Sequence, residues 1–365
     1  MAKIKPLTPA EVERLHLLRI EYYVSFGNAV FEAYLDDLAR LASGITTINT
    51  KNVFTFDDYP GAQKKLNDLI RATTAKAVNV LALGIDDSVL RANIKSDTLL
   101  NKVFKATKIP KEKLAEYANH NLSAAATRSV KSKLSKRVYK ITKQFQRIAE
   151  VGIDTGIASG KSARNLATEI KKAVKEPEFS FRRVRNEKGT LKWSKAAKKY
   201  AKENPPGTGV YLNPQKNYER LTRTEINMAY RTAEHERTQT FDFVVGIRIN
   251  LSTNPNHCPF CVSVAGVYPA NFLFRGWHPQ CRCYKTSIIK TETEMERDNI
   301  RILQGKEPLK SSENRVKKPN PGFNKWLKEN ADRIEKMEKN KTLPYWIQDN
   351  FKDGKLVPGR IVGGV

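Results

Sequence analysis

The sequence predicts an α+β protein, with a mostly helical N-terminal part followed by a small α+β domain that carries a Cys/His-rich knuckle. Three observations predict it: apolar residues recur at helical spacing as far as about Lys175, a β-branched run follows at residues 244–251, and all four cysteines crowd between Cys258 and Cys283. The chain's 365 residues are enough for two or three domains. The expected division is a helical N-terminal domain at 1–122, a central domain at 123–290 with a basic insertion at about 176–215, and a helical C-terminal extension at 291–365.

In the first segment Leu15, Leu18, Tyr22, Phe26, Val30 and Leu35 form an apolar stripe after Pro9 and Glu11, expected to face a helical core. A second helix is expected from about Pro60 to Gly84, with Leu66, Ile70, Val78 and Leu81, and a shorter third one after Ser96. The helix expected from about Ser123 to Val151 carries two stripes. Val130, Leu134, Val138, Ile141, Phe145 and Ile148 define a packing face, while Lys133, Lys136, Lys140, Lys143 and Arg147 line up on another. Like charges this close repel one another, and a polyanion laid along them relieves the repulsion; a solvated lysine-rich face is the alternative reading.

Gly156-Ile-Ala-Ser-Gly160-Lys161-Ser162 imitates a phosphate loop, but it has three residues rather than four between the first glycine and Gly-Lys-Ser, and no strand precedes it. It reads instead as a turn between helices, with Gly156 and Gly160 ending one and Ser162 capping the next. Residues 181–193 then suggest a short hairpin turning at 186–189. Arg182, Arg183, Arg185, Lys192, Lys195, Lys198 and Lys199 are interleaved there with Phe181, Trp193 and Tyr200, a texture suited to nucleic acid and equally to an exposed insertion.

A helix at about 217–241 alternates Arg220, Arg223, Arg231 and Arg237 with Glu219, Glu225, Glu234 and Glu236, allowing ion pairs along its own surface. The strand at 244–251 leads into Cys258-Pro-Phe-Cys261; His278-Pro-Gln-Cys281-Arg-Cys283 comes next, then a strand at 284–289. A Cys-x-x-Cys pair bends onto one ion, and Cys-x-Cys on extended chain turns both sulfurs to one face, so the halves can close a tetrahedral site. The candidate ligands are Cys258, Cys261, His278, Cys281 and Cys283, with zinc as the expected ion in a structural role and His257 as a bystander. Reduced, packed cysteines and disulfides are the alternatives. The tail carries a further amphipathic helix with Phe323, Trp326, Leu327, Ile334 and Met337, then Leu343-Pro-Tyr-Trp-Ile347.

The enzymatic readings tested against these spacings fall short. A nucleobase deaminase needs a His-x-Glu that the sequence lacks, and His235-Glu236 has Gln239 where a zincin needs its second histidine. A metal-dependent nuclease or other DNA-processing enzyme using the Cys/His cluster is the remaining alternative to a non-enzymatic role. The net charge of +27 and a pI of about 9.8 make polyanions the natural partners. No long apolar run precedes Glu11, so neither a signal peptide nor a membrane anchor is expected, and the reducing cytoplasm favours metal over disulfides.

The runs Leu221-Thr-Arg-Thr-Glu-Ile-Asn-Met-Ala-Tyr230, Cys258-Pro-Phe-Cys261 and Gly276-Trp-His-Pro-Gln-Cys-Arg-Cys-Tyr-Lys-Thr286 resemble the phage Mu F-like minor head proteins, the phage head morphogenesis family. The resemblance covers about residues 130 to 290, and the tail's Phe323-Asn-Lys-Trp-Leu and Leu343-Pro-Tyr-Trp are similar to an extension of some phage and prophage members. It implies a non-enzymatic minor capsid protein, made in the bacterial host cytoplasm and packaged in few copies in the virion head. The implied partners are the portal protein, the major capsid or scaffold protein, and double-stranded DNA bound without sequence preference. No membrane and no small-molecule substrate is expected. The DNA contacts expected are Lys133, Lys136, Lys140, Lys143, Arg147, Arg182, Arg183 and Arg185.

Overall fold

The structure, a computed structural model, describes residues 8–45, 54–119, 125–158, 166–176, 184–185, 191–193, 195–203, 213–253, 257–352 and 355–356. Its elements are α1 (Pro9–Ser43), α2 (Pro60–Thr107), α3 (Lys111–Asn119), α4 (Ala125–Ala158), α5 (Leu166–Lys175), β1 (Val184–Arg185), β2 (Leu191–Lys192), α6 (Lys195–Glu203), α7 (Pro214–Gln239), β3 (Val244–Asn250), α8 (Pro259–Val264), β4 (Gly266–Pro269), β5 (Tyr284–Ile289), α9 (Glu292–Leu303), α10 (Pro321–Glu329), α11 (Ala331–Lys339), α12 (Tyr345–Gln348), β6 (Phe351–Lys352) and β7 (Lys355–Leu356). This is the α+β class expected: mostly helix, with a three-stranded antiparallel sheet in the C-terminal part, ordered β4-β3-β5. No helix among the described residues is long and apolar enough to cross a membrane.

The chain packs as two compact units, Met1–Glu21, Gly84–Val130 and Arg223–Val365 in one, Tyr22–Leu83 and Lys131–Thr222 in the other. The second is built on helices. Phe31, Tyr34 and Leu38 of α1, Leu66, Ile70 and Leu81 of α2, Leu134, Val138, Phe145 and Ile148 of α4, and Ile170 and Val174 of α5 are all buried. Phe31 stacks on Phe145 with centroids 4.4 Å apart and meets Tyr218 of α7 edge-on at 4.8 Å. Tyr218 also donates to the Ala77 carbonyl at 3.1 Å, and Gly27 leaves room for its ring: a Cβ there would lie 2.0 Å from Tyr218 Cε1.

In the first unit β3 is the central strand. Ile247 pairs with Tyr268 of β4 and Ser287 of β5, and β3 is bulged between Val244 and Gly246. Ile247 and Ile249 face an aromatic core of Tyr268, Phe272, Phe274, Trp277, Phe323 and Trp346 that includes Cys261, Cys281 and Cys283. The C-terminal helices belong to that core rather than trailing behind it. Phe323 of α10 is wholly buried, and Gly322 lets α10 approach α8, since a Cβ at this glycine would sit 2.1 Å from the Ser263 carbonyl oxygen. A second cluster joins Leu100 and Val103 of α2, Tyr117 of α3, Phe241, Phe243, Val244 and Met295 of α9. Thr291 and Glu294 start α9 with a complete capping box.

Several expectations are corrected. On α1 the residues Leu15, Leu18, Tyr22 and Phe26 are exposed and Val30 is half-buried; of the expected stripe Leu35 is buried, together with Ile20, Tyr23, Val24, Phe31 and Tyr34. Both sets recur at helical spacing, so periodicity could not choose between them. The second and third helices are one, α2, which runs through Gly84 because no proline lies between Pro60 and Pro110. Gly156 lies inside α4 rather than ending it, and the Gly160-Lys161-Ser162 turn lies outside the described residues. The tail helix is two, α10 and α11, parted at Asn330. The hairpin is present, with Val184 opposite Lys192 and Arg185 opposite Leu191; its turn lies outside the described residues.

Candidate metal centre and basic surface

Each half of the knuckle is shaped by its own sequence. Cys258 caps α8 with Pro259 behind it at the first helical position, and one turn later Cys261 points into the core. In the other half, His278-Pro-Gln-Cys281 forms a turn closed by Cys281 N–H donating to the His278 carbonyl at 3.1 Å. Gln280 has φ 60, the left-handed conformation, and its N–H donates to Thr224 Oγ1 at 3.2 Å. Beyond the turn Cys281 and Cys283 are buried while Arg282 between them is exposed, as alternation along extended chain requires.

The donor atoms of Cys258, Cys261 and His278 lie within 4.8 Å of one another, and so do those of Cys261, Cys281 and Cys283. Cys261 is common to both groups. All four cysteines are free thiols. His278 Nδ1 lies 2.8 Å from the Pro279 carbonyl oxygen, to which it must donate. In the neutral ring Nε2 is then the lone-pair nitrogen, as a histidine ligand requires, and it lies 3.2 Å from Cys261 Sγ. Cys261, Cys281, Cys283 and His278, with Cys258 beside them, are placed to hold a metal ion. His257 belongs to neither group.

α7 grips the second half from behind. The Arg231 guanidinium, 2% exposed, donates to the carbonyls of Arg275 at 3.2 Å, Cys281 at 3.0 Å and Cys283, and it stacks over the Phe274 ring. Gly276, at φ 117, is required there: a Cβ would meet Arg231 Nη1 at 2.7 Å. Asn227 Nδ2 donates to the Cys281 carbonyl at 2.9 Å, and its Oδ1 faces His16 Nε2 at 3.3 Å. Arg91 donates to His16 Nδ1 at 2.7 Å, so a chain of donors of uniform sense runs from α2 through α1 and α7 to the Cys281 carbonyl.

The charges around this shell suit an anionic centre. Arg231 and Lys285 are buried and Lys95 is half-buried beside them, with Glu13 and Glu234 the carboxylates among the described residues there, which leaves positive charge in excess. Burial holds the Lys285 ammonium down to about 8, and burial raises the Glu13 carboxyl. Hydrogen bonds from the Cys261 and Cys283 thiols, with Arg231 beyond them, lower the Cys281 thiol. Trp277 Nε1, Tyr345 Oη and Lys285 Nζ are buried polar groups without a hydrogen-bond acceptor. Thiolates gathered on a cation would supply the negative charge these groups lack, so the residues present fit a metal.

The sequence pointed to the candidate ligands but missed the residues that hold them in place. Asn227, Arg231, Glu234 and Thr238 are polar yet buried, at core spacing on α7. That pattern, polar side chains where apolar ones belong, was the available signal. Two of the arginines expected to pair along α7 reach other elements: Arg223 meets Glu21 at 2.9 Å and Arg237 meets Asp97 at 2.7 Å.

Away from the knuckle, α4 bears out its two faces. Leu134, Val138, Ile141, Phe145 and Ile148 are buried, and the Val130 side chain lies outside the described residues; Lys133, Lys136, Lys140 and Arg147 are exposed and Lys143 is half-buried. Arg147 pairs with Glu203 at 3.1 Å. Of the insertion's arginines, Arg185 lies on β1, while Arg182 and Arg183 lie outside the described residues. Tyr200 is buried and accepts a hydrogen bond from Gln144 at 3.1 Å, so it is a packing residue rather than part of a basic surface.

Compared with known protein families, curated proteins and solved structures, the chain has no match in any of the three.

Proposed function

We propose that this chain is a non-enzymatic structural protein of a phage head, a minor capsid component that contacts packaged DNA without reading its sequence. The observation that carries the reading is the row of Lys133, Lys136, Lys140, Lys143 and Arg147 along α4, opposite that helix's buried face, in a chain of net charge +27. Cations on one helix edge meet phosphates without presenting a base-reading surface. Zinc, held by four of Cys258, Cys261, His278, Cys281 and Cys283, acts in this reading as a staple for a domain with little sheet. The portal and the major capsid or scaffold protein are the proposed protein partners. The exposed Leu15 and Leu18 on α1, and Leu90 and Ile94 on α2, offer apolar surface for such contacts. The virion head is the proposed location.

DNA binding measured against salt tests the reading. Duplex affinity is expected to fall steeply with salt and to be indifferent to sequence. Replacing Lys133, Lys136 and Lys140 together by Gln is expected to flatten the log–log salt slope by about 2 to 3. Affinity that persists at high salt for one DNA sequence, or cleavage of plasmid DNA by metal-loaded protein that Cys281→Ser abolishes, would replace it with a regulator or a nuclease.

A further inference from the structure

We infer that the groove between α2 and α4 in the helical unit is a binding site for a single-stranded segment of nucleic acid, with one base laid on Tyr139. The groove has a volume of about 580 Å³, within the range of ligand clefts, and is open to the surface. Arg71, Ala75, Val78 and Asn79 line it from α2, and Ser135, Lys136 and Tyr139 from α4. Three features select the occupant.

First, a cation stands on each wall, Arg71 on one and Lys136 on the other, and no carboxylate among the described residues lines the groove. The larger cleft in the same unit, about 970 Å³, differs on this point: Asp37 and Asp68 stand in it beside Arg40 and Lys65, which makes it a poor host for a polyanion. Second, Tyr139 is 44% exposed, an aromatic ring at the surface of a helix whose apolar face is otherwise buried. Rings so placed act as platforms for bases, since every base has a π-face. Third, Tyr139 is three residues from Lys136 and, at 100° per residue, is displaced from the basic row toward the side of α4 that meets α2. There Thr74 donates to Thr142 across the two helices at 3.2 Å. A backbone tracking Lys133, Lys136 and Lys140 therefore passes along the rim of the groove, within reach of its ring. Paired bases in a duplex are stacked on one another and offer no free face to Tyr139; a single strand does.

The inference rests on the nucleic-acid reading above, and its test separates the two. Fluorescence anisotropy would compare a short oligothymidylate and a short duplex binding to the full chain, to Tyr139→Leu and to Tyr139→Phe, with circular dichroism confirming that each variant is folded. Tyr139→Leu is expected to weaken the single strand about tenfold while leaving the duplex unchanged, and Tyr139→Phe, which keeps the ring, to bind the single strand like the parent. If Tyr139→Leu binds both as the parent does, or loses both equally, the groove assignment is wrong while duplex binding along α4 stands. If the parent binds neither nucleic acid, the groove assignment and the wider reading fall together.

Discussion

In the helical unit, order comes from apolar side chains meeting at helical spacing: Phe31, Leu66, Leu134, Phe145 and Ile148 are buried to within a few per cent, and the Phe31–Phe145 stack sits among them. In the sheet-bearing unit the corresponding place is taken by thiols, one histidine and a buried arginine, surrounded by Trp277, Trp346, Phe323 and Tyr268. The difference is one of length and regularity. Long helices satisfy their own backbone groups and need only a stripe to bury. The segment from Cys258 to Cys283 is mostly loop around a short helix and a short strand, and its carbonyls and irregular turns must be held by side chains or by a cation. One unit is expected to be indifferent to a metal and the other to depend on it.

The comparison can be broken most forcefully at Cys281. Cys281→Ser, or chelation of the parent, is expected to destabilise the sheet-bearing unit by more than about 5 kcal/mol. The near-ultraviolet dichroism of Trp277 and Trp346 should be lost while most of the far-ultraviolet helical signal remains. Equal loss of both signals would contradict the distinction. Phe145→Ala is the converse change. It should cost about 4 kcal/mol in urea unfolding, by leaving a cavity beside Phe31, and leave the bound metal measured by elemental analysis unchanged.

Arg231→Met comes next, at about 3 kcal/mol, because the Cys283 and Arg275 carbonyls lose this buried donor; the check is unfolding of the metal-loaded protein. The smallest effect is a pH dependence. Burial holds His16 well below its usual pKa, with the positive Arg91, Arg231 and Lys95 adding to the shift. A folded-state pKa below the unfolded value of about 6.5 contributes stability above that pH, and the contribution is lost as pH falls beneath it. His16→Gln should therefore flatten the acid loss of stability between pH 7 and 5 by up to about 1.4 kcal/mol per pH unit. Parallel profiles for parent and variant would show that His16 is not buried neutral.

Much of this was legible along the chain. The packing face of α4 followed from a regular run of branched and aromatic residues, and β3 and β5 from β-branched runs on either side of the knuckle. The candidate ligands stood out because cysteines occur nowhere else. The orientation of α1 was not legible, because Leu15, Leu18, Tyr22 and Phe26 compete with Ile20, Tyr23, Val24 and Phe31 at equal periodicity, and only the neighbours that cover one set decide. The fusion of two expected helices into α2 was hidden by Gly84, which reads locally as a break and is tolerated once it is packed.

The sequence by itself determined the class of fold, the faces of α4 and the identity of the candidate ligands, because each rests on side-chain spacing within one element or one short loop. Only the tertiary structure decided that Arg231 and Asn227 of α7 hold the carbonyls of the Cys281–Cys283 loop, and that His16 is linked to the same loop through Asn227. It alone also set Tyr139 and Lys136 across from Arg71. These are contacts between residues tens to hundreds of positions apart, and no local period encodes which distant group will satisfy a buried donor or carbonyl. That choice is made when the elements pack and every polar group withdrawn from water must find a partner.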